Sequence, residues 1–153
     1  TNSEVTAAFH TSVLTNKYAA GTIYLLESKI RNEQMSSTQL LGIRKYSLEH
    51  LMPKKWRNHW KFNGTDEQAA ERDRGLLTLG NLAIITQSLN ASIRDSEWSV
   101  KLTGKGTKEG LKKYATGIET ISKYLDYVEW NENCIKERAD DLANKAIEVW
   151  SCQ

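Results

Sequence analysis

The pattern that most restricts the fold of this chain is a pair of short strands held apart by a helical insertion. Across residues 40–52 the pattern alternates, with Tyr46, Leu48 and His50 on one face and Lys45, Ser47 and Glu49 on the other, the period of a half-buried strand. Pro53 ends that strand because it has no N–H for a ladder. The run Leu82-Ala83-Ile84-Ile85-Thr86 is short, apolar and β-branched, which suits a second, buried strand. Between the two, Asn63-Gly64 signals a turn, and Thr65 with Gln68 stands at capping-box spacing. A helix is therefore predicted from Asp66 through the Glu-Arg-Asp-Arg segment, ended by Gly75 or Gly80. Residues 88–95 form a short helix carrying Asn90. The order is strand, insertion, strand, helix.

The flanks read as helical. Leu14, Tyr18, Leu25, Leu26 and Ile30 recur near helical spacing, with Gly21 interrupting the run and polar residues 32–38 ending it. Residues 56–62 form an aromatic, basic connection. Beyond Lys101, the glycines at 104, 106 and 110 mark a mobile loop suited to phosphate. Leu111, Tyr114, Ile118, Ile121 and Leu125 predict one amphipathic helix ending near Tyr127. Asn131 is placed to cap a last helix whose stripe is Ile135, Arg138, Leu142, Ala146 and Trp150. The predicted class is α+β: mostly helical, around a small core of two antiparallel strands and a short helix.

Composition sets the outer bounds. With 153 residues, 39% apolar and 26% charged, the chain is long enough for one domain with a real core. No apolar run approaches the roughly 18–20 residues that span a bilayer, and no basic-then-apolar leader opens the sequence, so no membrane partner is expected. The chain starts at Thr1 without methionine, and the expectation is a C-terminal fragment of a larger protein. A net charge of +2 is too small to indicate a nucleic-acid partner. Its distribution says more: Lys54, Lys55, Arg57 and Lys61 form one basic cluster, Lys101, Lys105, Lys108, Lys112 and Lys113 a second, and residues 129–148 are acidic by comparison. The two cysteines, Cys134 and Cys152, would lie about 27 Å apart along one helix, beyond disulfide reach. They read as reduced thiols in a cytoplasmic protein, and without a Cys-x-x-Cys pair no structural zinc is expected.

The residues that carry chemistry are Glu49-His50-Leu51-Met52-Pro53, then Gly80-Asn81-Leu82, then Asn90. Hydrolysis of a phosphodiester needs a deprotonated, aimed water, neutralisation of the phosphorane and stabilisation of the departing 3′ oxygen. A histidine that is mostly neutral at physiological pH suits the first task, and a hard divalent ion the other two. Mg²⁺ or Mn²⁺ takes oxygen ligands and retains waters, so one carboxylate and one carboxamide suffice. His50 is the candidate base, Glu49 and Asn90 the candidate metal ligands. Asn81 is expected to bridge the backbone of the loop carrying His50 and fix the ring. Lys54, Lys55, Arg94 and Lys101 are the candidate contacts to flanking phosphates, which position a strand without reading its sequence.

These residues also resemble the HNH (His-Me finger, ββα-metal) endonuclease motif. The version is similar to the C-terminal nuclease domain of GmrSD-type modification-dependent restriction systems and the related SspE antiphage protein. Trp98-x-x-Lys101 and the pattern Trp130…Ile135…Arg138…Leu142…Trp150 resemble that domain's tail. The resemblance covers about residues 40–153 and extends to the leading helix. It implies one HNH nuclease domain over residues 1–153: a leading helical segment at 1–39, a ββα-metal core with its insertion at 40–101, and C-terminal helices at 102–153. It places the base on His50, the ligand pair on Glu49 and Asn90, and the loop-organising residue on Asn81. It further implies a Mg²⁺- or Mn²⁺-dependent DNA endonuclease or nickase of low sequence preference, serving restriction or antiphage defence. An N-terminal nucleotide-hydrolysing sensor domain of the same polypeptide would be its partner. Two departures stand out: glutamate where many HNH enzymes have aspartate, and an insertion of about thirty residues between His50 and Asn81.

Plainer readings apply elsewhere. His59 has no partner at ligand spacing, and His10 reads as a surface residue. Trp130 and Trp150 read as packing, and Arg72 and Arg74 as a solvated face. The rival functions are an RNase, and a non-catalytic module whose helices dock a nucleic acid or another domain.

Overall fold

The structure, a computed structural model, describes residues 1–33, 39–115 and 117–150. Helices α1 (Asn2–Thr11) and α2 (Asn16–Glu33) lead into strand β1 (Tyr46–His50). Helix α3 (Asp66–Gly75) precedes strand β2 (Leu82–Thr86) and helix α4 (Gln87–Ile93). Then come helix α5 (Trp98–Thr103), the short strands β3 (Gly104–Lys105) and β4 (Lys108–Glu109), helices α6 (Leu111–Tyr114) and α7 (Glu119–Ser122), and the long helix α8 (Glu132–Trp150). The mostly helical α+β class expected from the sequence is the class observed.

Strands β1 and β2 pair antiparallel, with Tyr46 opposite Thr86 and His50 opposite Leu82. Helices α2 and α4 both pack on this hairpin, and Ala83, Ile84 and Ile85 are fully buried. Burial on both faces explains why β2 reads as a continuous apolar run while β1 alternates.

The insertion is a packed element. Thr65 caps α3 as its spacing predicts: its hydroxyl accepts from Gln68 N at 3.3 Å, and Gln68 Oε1 accepts from Thr65 N at 2.9 Å. Arg72 differs from expectation, because it is buried. Its guanidinium lies 4.8 Å from the Trp56 ring centroid and 4.5 Å from that of Phe62, and it pairs with Glu132. Trp56 donates to Asp73 at 2.8 Å. The two aromatics thus fold the connection onto α3.

Helix α8 is capped as predicted, with Asn131 Oδ1 accepting from the N–H groups of Asn133 (3.0 Å) and Cys134 (3.2 Å). Ile135, Leu142 and Ala146 are buried, but Trp150 is 43% exposed, so the apolar stripe stops one turn early. Gly80 ends no helix. It lies in a single 3₁₀ turn (Leu79–Asn81) packed on α8, where an added Cβ would sit 2.1 Å from the Ile135 carbonyl oxygen. Gly21 leaves α2 unbroken. His10 does more than sit on the surface, binding Asp140 of α8 through Nε2 at 2.6 Å.

Two further segments depart from the periodicity. The glycine-rich loop forms a second small hairpin, β3 with β4, which Gly104 opens at a φ of 88° that other residues rarely adopt. The single helix expected from Leu111 is broken between α6 and α7, because buried Glu27 of α2 accepts from the N–H groups of Glu119 and Thr120, both at 2.8 Å. That carboxylate starts a new helix where the apolar spacing implied continuation. Cys134 is a buried free thiol, and Cys152 lies outside the described residues.

Candidate functional site

His50 is the last residue of β1, and Pro53 turns the chain away, leaving the ring at the rim of a cavity of about 300 Å³. Glu49, Asn90, Lys54, Lys55 and Arg94 line the same cavity. The structure therefore gathers His50 with both predicted ligand residues, despite the insertion. Burial and the positive charges of Lys54 and Lys101 push the His50 pKa down to about 4, so the ring is neutral at physiological pH.

Asn81 sits beneath this corner with no exposed surface. Its Oδ1 accepts from Met52 N (2.8 Å) and Trp130 Nε1 (2.9 Å), and its Nδ2 donates to the carbonyls of Met52 (2.8 Å) and Leu76 (2.9 Å). All four hydrogen bonds of the carboxamide are made. It ties the loop after His50 to the end of the insertion and to the segment before α8.

Asn90 stands midway along α4. Its Nδ2 donates to the Leu48 carbonyl at 3.1 Å, which docks α4 on β1 and leaves Oδ1 for another partner. Arg94, just past α4, has φ 42° and ψ −132°, a conformation that favours glycine. Its side chain is exposed, as are those of Lys54 and Lys55.

Lys101 does not join them. It is fully buried, its ammonium donating to Glu49 Oε1 and, at 2.8 Å, to the His50 carbonyl oxygen. A lysine so enclosed presents nothing to a phosphate backbone, which corrects the expectation of a surface contact. Burial pushes the Glu49 carboxyl up and the Lys101 ammonium down, each opposed by the charge of the other.

A hard divalent ion needs oxygen donors. Glu49 Oε2 and Asn90 Oδ1 both belong to residues on the cavity wall and carry no hydrogen bond among the described residues. Among the described residues no three His, Cys, Asp or Glu side chains form a ligand cluster. One carboxylate and one carboxamide, completed by water, are oxygen donors of the kind such an ion takes.

Two residues that organise the site were not singled out for it from the sequence. Arg138 of α8 is fully buried; its Nη1 donates to the carbonyls of Leu79 (3.2 Å), Gly80 (3.0 Å) and Leu82 (2.7 Å), and its Nε to Thr120 (3.0 Å). It grips the turn that carries Asn81. An arginine within an otherwise apolar stripe was the available signal. Trp130 bonds Asn81 directly, which sequence spacing alone does not reveal. Trp56 and Trp60 turn inward: Trp56 is buried, and Trp60 donates to the Ser96 carbonyl at 3.0 Å.

A family model described as the C-terminal domain of GmrSD restriction endonucleases matches residues 2–145. No curated protein and no solved structure matches the chain.

Proposed function

From the membership of this chain in the family of GmrSD restriction endonuclease C-terminal domains, we propose that it is the nuclease effector of a restriction or antiphage defence protein. In this reading it is a metal-dependent DNA endonuclease of HNH type that nicks phosphodiester bonds with His50 as general base. The observation that carries the reading is the convergence of His50, Glu49 and Asn90 on one cavity rimmed by Lys54, Lys55 and Arg94.

The division of labour follows from the donors present. His50, uncharged at neutral pH, takes a proton from the attacking water. Its low value reflects burial beside two lysines. Glu49 Oε2 and Asn90 Oδ1 would hold Mg²⁺ or Mn²⁺. When bound, such an ion neutralises the phosphorane and stabilises the departing 3′ oxygen, leaving 5′-phosphate and 3′-hydroxyl ends. Asn81 keeps the His50 loop in one conformation, so that little reorganisation accompanies the reaction. Lys54, Lys55 and Arg94 seat neighbouring phosphates and read no base, so sequence preference is low. Target choice then falls to an N-terminal nucleotide-hydrolysing sensor domain of the same polypeptide, in the cytoplasm. Among the described residues no helix is long and apolar enough to cross a membrane.

Supercoiled plasmid incubated with the purified chain and Mg²⁺ or Mn²⁺ tests the reading. Conversion to open circles that a chelator abolishes is the expected result. No metal-dependent product, or cleavage confined to folded RNA offered in parallel, would overturn it.

A further inference from the structure

One buried cation at this site has no task in the chemistry above. Lys101 projects from α5, and the single ammonium group binds two consecutive residues of β1: the Glu49 carboxylate through Oε1 and the His50 backbone through its carbonyl oxygen. Both members of the ion pair are enclosed, with Lys101 fully buried and Glu49 5% exposed.

A buried ion pair is a weak device for stability, since desolvation of two charges offsets most of their attraction and apolar side chains of similar size often serve as well. The location of this pair is more informative than its energy. Fixing Oε1 stops the carboxylate rotating about its last bond and leaves Oε2, on a residue of the cavity wall, as the free donor. Fixing the His50 carbonyl sets the peptide plane that follows the Cα from which the imidazole projects. Asn81 fixes the same loop from the other side, through Met52. The histidine is thereby restrained both at its own residue and two residues on. Partners of this kind, which orient a ligand without touching the metal, generally govern affinity for it.

We propose that Lys101 is a positioning residue for the proposed metal site, orienting Glu49 and the His50 backbone rather than contacting DNA. The inference rests on the nuclease reading given above and assigns Lys101 a different role from those of Lys54, Lys55 and Arg94.

Calorimetric titration with Mn²⁺ tests it on the 153-residue chain, using Lys101→Met and Lys101→Gln, with circular dichroism and thermal melting as controls for folding. Both variants are expected to fold and to bind Mn²⁺ about tenfold more weakly or worse, with the Mn²⁺ concentration for half-maximal nicking rising in step. Metal-free DNA affinity is expected to match that of the unmodified chain, whereas Lys54→Ala weakens it. A folded variant that binds Mn²⁺ normally would overturn the proposal, as would a loss of metal-free DNA affinity like that of Lys54→Ala. Failure of both variants to fold would reduce Lys101 to a structural residue and overturn it equally. If the unmodified chain neither binds Mn²⁺ nor cuts, the nuclease reading itself falls. If it does both and the variants do too, only the role of Lys101 falls.

Discussion

The side-chain amide of Asn81 holds both backbone groups of Met52, accepting from its N–H and donating to its carbonyl, each at 2.8 Å. Met52 stands two residues beyond His50, so a carboxamide brought in by the insertion sets the path of the chain that leaves the candidate base. Arg138 in turn holds the carbonyls on either side of Asn81. Helix α8 thereby reaches the site through the backbone, without any side chain of its own in the cavity.

Removing that amide should be costly. Asn81→Ala leaves the Met52 N–H and carbonyl, the Leu76 carbonyl and the Trp130 indole N–H buried without this partner. The expected loss is about 3–5 kcal/mol of stability. Urea unfolding checks this through a lower midpoint at unchanged slope. Nicking should fall well beyond the fraction of molecules unfolded, because the loop of His50 loses its restraint.

Arg94 offers a test in which stability and function separate. Its backbone sits at φ 42° and ψ −132°, where glycine is favoured, so Arg94→Gly should relieve strain and stabilise the fold by about 1 kcal/mol. The same change removes an exposed cation from the cavity rim and should weaken DNA binding roughly fivefold, or about 1 kcal/mol. Thermal melting and fluorescence anisotropy measure the two. A variant that melts higher and binds DNA as before would remove Arg94 from the phosphate contacts.

The low pKa of His50 has a definite pH signature. The folded value is about 4, depressed by burial and by Lys54 and Lys101, against about 6.5 in the unfolded chain. Between those values the unfolded state binds more protons, so stability rises with pH across the window and the contribution is complete above about 6.5. It should amount to on the order of 2 kcal/mol after allowance for partial exposure, and is lost as the pH falls toward 4. An NMR titration of the His50 ring in metal-free protein should show no transition near pH 6.5. A midpoint there would contradict the burial described.

How far the sequence discloses all this depends on how local each cause is. The Thr65–Gln68 capping box, the Asn131 cap and the β-branched run of β2 are decided within a few residues, and each is found where the pattern puts it. Lys101 looks like any surface lysine until Glu49, 52 residues earlier, lies against it. The break between α6 and α7 likewise depends on Glu27, 92 residues before Glu119. Periodicity cannot register a carboxylate arriving from another helix. Arg72 reads as solvated because its neighbours in sequence are charged, whereas its neighbours in space are Trp56 and Phe62. The residues that line the cavity with His50 stand in the sequence as a spaced set of polar groups. The buried groups that hold them in place do not.

The most direct measurement compares His50→Ala with the unmodified chain on supercoiled plasmid in Mg²⁺, at matched folded concentration. His50 is partly exposed at a strand end, so the substitution should leave the melting temperature nearly unchanged while open-circle formation falls by about 100-fold or more. Plasmid nicked at an undiminished rate by the alanine variant would contradict the assignment of this histidine as the base.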